Sequence, residues 1–143
     1  MPIRPQHRWL YPIDWAQISH AIRFGRAKGR CEHCDRPHGK LVCHLGDGRW
    51  WDENAEIWKD GRGRQVRAPS PAPGFDHRQK TMVYLATAHL DNNPGHNDRR
   101  NLKALCQRCH MLHDRDEHRR RRRISFLLSR AVGDLFDGRY PTI

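Results

Sequence analysis

The stretch Ala88–Asp114, AHLDNNPGHNDRRNLKALCQRCHMLHD, decides how this chain is read. It holds His89 at the end of an apolar run, the pair Asn101-Leu102, a C-x-x-C at Cys106 and Cys109, and then His110, His113 and Asp114. Just upstream, Thr81–Leu90 alternates as a strand does. Val83, Leu85, Thr87 and His89 fall on one side, with Met82, Tyr84, Ala86 and Ala88 on the other. Asp91-Asn92-Asn93-Pro94-Gly95 breaks that strand into a polar loop, which Asn101 ends. From about Gln107 the pattern turns helical.

A second C-x-x-C, Cys31-Glu32-His33-Cys34, lies far upstream. A structural zinc ion takes four ligands in a tetrahedron and favours thiolates. Each C-x-x-C turn offers two sulfurs to one metal, so Cys31, Cys34, Cys106 and Cys109 complete a four-thiolate site with no open position. The intervening residues 35–105 must then form a loop or substructure closed by the metal. A redox role for either pair lacks the thioredoxin-like βαβ pattern it would need. The odd cysteine, Cys43, sits in the short apolar segment Leu41-Val42-Cys43, which reads as a strand, and is taken as a small buried hydrophobe.

The chain has 143 residues, which suits one domain, and a formal net charge of +11 with His neutral. So basic a protein fits a polyanionic partner, nucleic acid being the commonest. A solvated basic surface fits the charge as well. The opening residues hold no apolar run of signal-peptide or membrane-spanning length. We therefore expect a cytoplasmic protein with no membrane partner, in a reducing compartment where cysteine pairs bind metal more often than they form disulfides. The small apolar fraction makes a structural metal matter for stability.

Residues 1–12 are proline-rich and read as an irregular arm. Asp14 is a plausible N-cap for a helix to about Lys28, with Trp15, Ile18 and Ile22 on its apolar face and Gly29 as its stop. Arg23, Arg26, Lys28 and Arg30 crowd its C-terminal end, where they suit the helix dipole or a phosphate. Residues 44–80 are the least legible, read as an irregular insert or twisted hairpin whose tryptophans pack on the knuckle. Ala68–Gly74 alternates with proline and reads as a surface loop. Asp114, Asp116 and Glu117 mark a possible second helix start, so a C-terminal helix is expected at about 117–137. Its stripe is Ile124, Leu127, Leu128, Ala131, Val132, Leu135 and Phe136, which must cover the core or a partner chain.

The chemistry converges on His89, Asn101 and His110. His110 and Asp114 stand at i and i+4 on the expected helix, so one face offers both to a divalent ion. His113, on an adjacent face, suits a phosphate or serves as the alternative ligand. A neutral imidazole can take a proton from water. A divalent ion stabilises charge building on a scissile phosphate and its leaving oxygen. The run Arg119, Arg120, Arg121, Arg122 and Arg123 can hold a polyanion, and it equally fits a solvated helix face. Together these parts describe phosphodiester hydrolysis.

Here the sequence resembles the HNH endonucleases of the ββα-metal fold, particularly the small zinc-knuckle type common in phages and prophages. The resemblance rests on Cys31-x-x-Cys34, on Ala88-His89-Leu90, and on Asn101-Leu102-x-x-Leu105-Cys106-x-x-Cys109-His110. It implies an α+β fold: a ββα core at about 81–117, the knuckle joining 31–34 to 106–109, an N-terminal helix and a C-terminal amphipathic helix. It implies His89 as general base, Asn101 as the residue that fixes the loop and orients that base, and His110 as ligand of a catalytic divalent ion such as Mg2+, Mn2+ or Ni2+. In some members a helix residue four positions on also binds metal, and Asp114 stands there. Many members carry Asp or His just before the base as a metal ligand; here it is Ala88, which leaves the ion to His110, Asp114, phosphate and water, with Asp91 as a further candidate. The expected function is a metal-dependent DNA endonuclease, a nickase if one site cuts one strand. The resemblance also suggests phage packaging proteins as partners. The alternative is a non-catalytic zinc-stabilised nucleic-acid-binding module. A third, weaker reading is a basic structural protein that dimerises through 124–136, so monomer and homodimer are both compatible.

Overall fold

The computed structural model describes residues 3–70 and 79–137, with side-chain surroundings as far as 131. The chain is mixed α/β with antiparallel sheets, and it divides into two units, Met1–Met111 and Leu112–Ile143.

In the first unit, a 3-10 helix at Pro5–Leu10 precedes helix α1 (Trp15–His20), which continues as a π-helical turn, Ala21–Arg26. The face read from the sequence is the one used: Ile22 is buried with Leu102 and Ala104, and Trp15, Ile18 and Ala27 pack around them. Asp14 precedes α1 but makes no side-chain capping bond. The short helix therefore depends on packing, as helices of this length must.

Five strands follow: β1 (Leu41–His44), β2 (Trp50–Asp52), β3 (Ile57–Lys59), β4 (Gln65–Val66) and β5 (Gln79–Met82). They form one antiparallel sheet in the order β4-β3-β2-β1-β5. Residues 44–80 thus supply β2, β3 and β4 rather than an irregular insert. Strands of two or three residues are too short to show an alternation. Trp50 is 0% exposed, and its indole N–H donates to the Cys34 carbonyl at 3.1 Å, so this tryptophan packs directly on the knuckle. Cys43 faces Lys80 across β1 and β5 and is half-buried rather than buried. The proline-rich loop expected at 68–74 lies, from Pro71 onward, outside the described residues.

The single strand expected over Thr81–Leu90 is two. β5 ends at Met82, and β6 (Leu85–His89) pairs instead with β7 (Leu102–Cys106) in a separate two-stranded sheet. The crossing is held from outside both sheets. Val83 exchanges backbone bonds with Gly39 and Lys40, the Gln107 side chain donates to the Met82 carbonyl and accepts from the Tyr84 N–H, and the Leu85 N–H donates to His38 Nδ1. Those partners are remote in sequence, so no local pattern announces the break.

β7 runs straight into α2 (Gln107–Asp137), one helix of 31 residues. The separate start expected near residue 117 is absent from it. In the second unit, Glu117 lies inside the helix, accepting from Arg120 at 2.9 Å and Arg121 at 2.7 Å. Those two guanidinium groups hold its carboxyl at about 2. Arg119–Arg123 are exposed, as are Ile124, Phe126, Leu127 and Leu128. Val132, Leu135 and Phe136 of the apolar stripe lie outside the residues whose side chains are described. Among the described residues, no helix is long and apolar enough to cross a membrane.

One charge network ties the knuckle to the larger sheet. Asp52, 2% exposed, accepts from Lys59 Nζ at 2.7 Å and from Arg30 at 3.1 Å, and both cations also reach Asp35. Burial would raise the Asp52 carboxyl, but hydrogen bonds from Lys59 and Arg30 and their charges outweigh it and hold it at about 2. Its folded value lies below the ordinary 3.8. The stabilisation is therefore complete above about pH 4 and is lost as the pH falls through the folded value. Asp52→Asn leaves two cations facing a neutral amide and is expected to cost roughly 3 kcal/mol near neutral pH. Thermal unfolding of both proteins across pH should show that gap close on acidification; a gap independent of pH would contradict the ionised role.

Candidate functional site

Four cysteines meet at the join between the knuckle and the strand-to-helix turn. Cys31 and Cys34 follow the N-terminal helix, Cys106 ends β7, and Cys109 lies in the first turn of α2. All four are buried, and their sulfurs lie within 4.8 Å of one another. Zn–S bonds of about 2.3 Å set the edges of a tetrahedron at about 3.8 Å. Cys34 Sγ and Cys106 Sγ lie 3.6 Å apart. The donor set therefore fits a metal ion such as zinc. Electrostatics agrees: contact with Cys106 drives the Cys31 thiol down and contact with Cys109 brings Cys106 to about 7, while contact with Cys106 pushes Cys34 and Cys109 up. Sulfurs this close cannot all ionise together without a cation among them.

The frame around the sulfurs is specific. The Cys106 N–H donates to Cys31 Sγ at 3.3 Å. Glu32, inside the first C-x-x-C, donates from its N–H to the Ala104 carbonyl and accepts at Oε2 from the Ala104 N–H. Arg26 grips the same carboxylate through two nitrogens, at 2.9 and 2.8 Å, and donates to the Arg99 carbonyl. The knuckle is thus bonded to β7 along its edge as well as through sulfur. Gly63, at φ +78°, sits against the Cys34 backbone, where a Cβ would come within 3.3 Å of the carbonyl. That position needs both the left-handed backbone and the missing side chain.

The expected base, His89, ends β6 and pairs with Leu102 across the hairpin. It is half-buried. Trp15 stacks on its ring with centroids 5.3 Å apart and planes 13° apart, and Tyr11 meets it edge-on at 5.7 Å. Its Nε2 lies 2.9 Å from Asn97 Oδ1. The neighbour Ala88 is 2% exposed and packs in the core cluster that includes the cysteines. The residue before the base thus faces inward, on the opposite side of the strand from His89.

Asn101 is 8% exposed and holds the loop between β6 and β7. Its Nδ2 donates to Asp91 Oδ1 and to the His96 carbonyl, each at 2.8 Å, and its Oδ1 accepts from the Asp91 N–H. Asp91 also meets His96 Nδ1 at 2.6 Å. Bonds from Asn101, from the Asn93 N–H and from His96 hold the Asp91 carboxyl well below the usual carboxylate range. The Asn97 side chain, from the same loop, reaches the His89 imidazole.

His110 is half-buried in the first turn of α2, in the first unit. His113, Asp114 and Arg119–Arg123 belong to the second unit. Among the described residues, the four cysteines are the one group of three or more His, Cys, Asp or Glu side chains gathered to hold an ion.

Sequence reasoning missed Tyr11 and Asn97, and it read Trp15 only as part of an apolar helix face. Nothing in the spacing links any of them to His89. The Asn-rich loop was a signal only that some side-chain amide would turn inward. Comparison with family models, curated proteins and solved structures returns no match.

One metal ion per chain is expected, held by four thiolates. Chelation, or Cys106→Ser, should release it and expose Trp50, because the Trp50 indole is bonded to the knuckle backbone. Metal analysis together with tryptophan fluorescence checks this; full retention of a buried Trp50 after complete metal loss would contradict it.

Proposed function

We propose that this chain is a metal-dependent DNA endonuclease of the HNH type, built on a ββα-metal core. The observation that carries the reading is the continuous unit β6, loop, β7, α2, in which His89 ends the first strand, Asn101 clamps the loop and His110 lies in the helix's first turn. The four-cysteine centre braces the turn from β7 into α2, and the net charge of +11 suits a polyanionic substrate.

His89 takes a proton from water, the hydroxide so formed bonds to phosphorus, and the P–O bond to the leaving oxygen breaks, that oxygen taking a proton from solvent water. His110 would hold a divalent ion, whose charge would stabilise the phosphate and its leaving oxygen. Asn101 keeps the loop closed beside the base. The exposed arginines of α2, with Arg119, Arg122 and Arg123 alongside the Glu117-bonded pair, hold the DNA backbone.

A second reading has its own observation. Ala88 is buried where a carboxylate ligand would serve a catalytic ion, which favours a zinc-stabilised nucleic-acid-binding module that does not cut. A plasmid-nicking assay separates the two. With added magnesium, manganese or nickel we expect nicking that EDTA abolishes and that His89→Ala lowers by about 100-fold or more, with metal content and fold unchanged. Salt-sensitive DNA binding without cutting by any of these ions would transfer the protein to the second reading.

A further inference from the structure

His89 is oriented by residues that its own strand does not supply. Its Nε2 lies 2.9 Å from Asn97 Oδ1. An amide oxygen only accepts, so this bond exists only when Nε2 carries hydrogen. Which end of the Asn97 side chain is oxygen follows from its other bonds. Nδ2 lies 3.2 Å from the Leu10 carbonyl and 3.1 Å from the Pro94 carbonyl. Both partners are acceptors, so only the amino end satisfies them. Turning the amide over would set an oxygen against two oxygens.

The ring has little freedom to escape this bond. Trp15 covers one face and Tyr11 closes an edge, and both belong to the segment that also supplies the Leu10 carbonyl. The two aromatic rings pack on one another as well, with centroids 4.9 Å apart. The segment from Leu10 to Trp15 is therefore a wall of the site, though its residues are remote from His89 in sequence.

We propose that Asn97, anchored by the Leu10 and Pro94 carbonyls, is a positioning residue that fixes neutral His89 in its Nε2-protonated tautomer, making Nδ1 the nitrogen that accepts a proton. Its use in catalysis rests on the nuclease reading above. In that setting one water proton passes to Nδ1, the ring becomes an imidazolium with both nitrogens protonated, and the Nε2–H bond to Asn97 is kept throughout. A ring held in the other tautomer would present an N–H to the water and could not take its proton. This is the reason a neutral amide at position 97 has a kinetic effect without touching substrate.

The test is long-range proton–nitrogen NMR on the full, metal-loaded chain labelled with 15N, with the His89 signals assigned through His89→Gln. The parent protein should show His89 in the Nε2–H tautomer when neutral. In Asn97→Ala the signals should move to a mixture of tautomers, while kcat for nicking falls about 10- to 100-fold and KM changes little. An Nδ1–H tautomer in the parent protein would overturn the proposal, and this measurement needs no variant to fold. An unchanged tautomer in a folded Asn97→Ala would overturn it too. Tautomer loss in that variant, with no nicking by the parent chain under any ion, would uphold the role of Asn97 and sink the nuclease reading instead.

Discussion

Four sulfurs from two distant stretches share one small volume, and the first unit depends on that constraint. Cys31 and Cys34 come from the turn after the N-terminal helix, and Cys106 and Cys109 from the join of β7 and α2. Everything between them is a closed excursion, and its strands lean back on the knuckle. Trp50 bonds the Cys34 carbonyl, and Gly63 lies against the same backbone. The hydrophobic cluster at the centre contains the four cysteines themselves alongside Val42, Trp50, Val83 and Leu105. A chain with so small an apolar fraction would gain from a metal held there, because the ion's binding energy would become folding energy.

The charge network complements the sulfurs. Asp52, Lys59, Arg30 and Asp35 join β2 and β3 to the turn beside the knuckle, and Arg26 with Glu32 joins the N-terminal helix to β7. Breaking one partner of a buried set costs far more than the set contributes over an apolar core. Such a set therefore disciplines the arrangement of the sheet more than it adds stability. Asn101 does comparable work in the loop, where three hydrogen bonds from one buried amide hold the turn beside His89.

What the sequence made legible was what local chemistry records. Two C-x-x-C pairs named the four ligands, because thiolate spacing is a property of a turn. Trp15, Ile18 and Ile22 named the buried helix face, because 3.6-residue periodicity is local. The larger sheet was legible only in part, as the strand at Leu41-Val42-Cys43 and a hairpin whose tryptophans pack on the knuckle, because its strands are only two to four residues long and are held by partners across the chain. The break at Val83 and Tyr84 was hidden for the same reason: Gln107, His38 and Gly39 satisfy it from elsewhere. His89 stood out by its place at a strand end, whereas Asn97, Tyr11 and Trp15 reached it through the fold. The run of helix from Gln107 onward was divided in the sequence reading because acids at 114–117 resemble a cap, yet Glu117 is used by arginines one turn ahead.

One ion on the four thiolates would hold the knuckle to the strand-to-helix turn that leads to His110. X-ray absorption at the zinc K edge of the purified chain reads that ion's ligands. The expected result is four sulfur neighbours at about 2.3 Å, with no lighter ligand in the inner shell. A shell containing nitrogen or oxygen in place of a sulfur, or no bound metal in the folded protein, would contradict it.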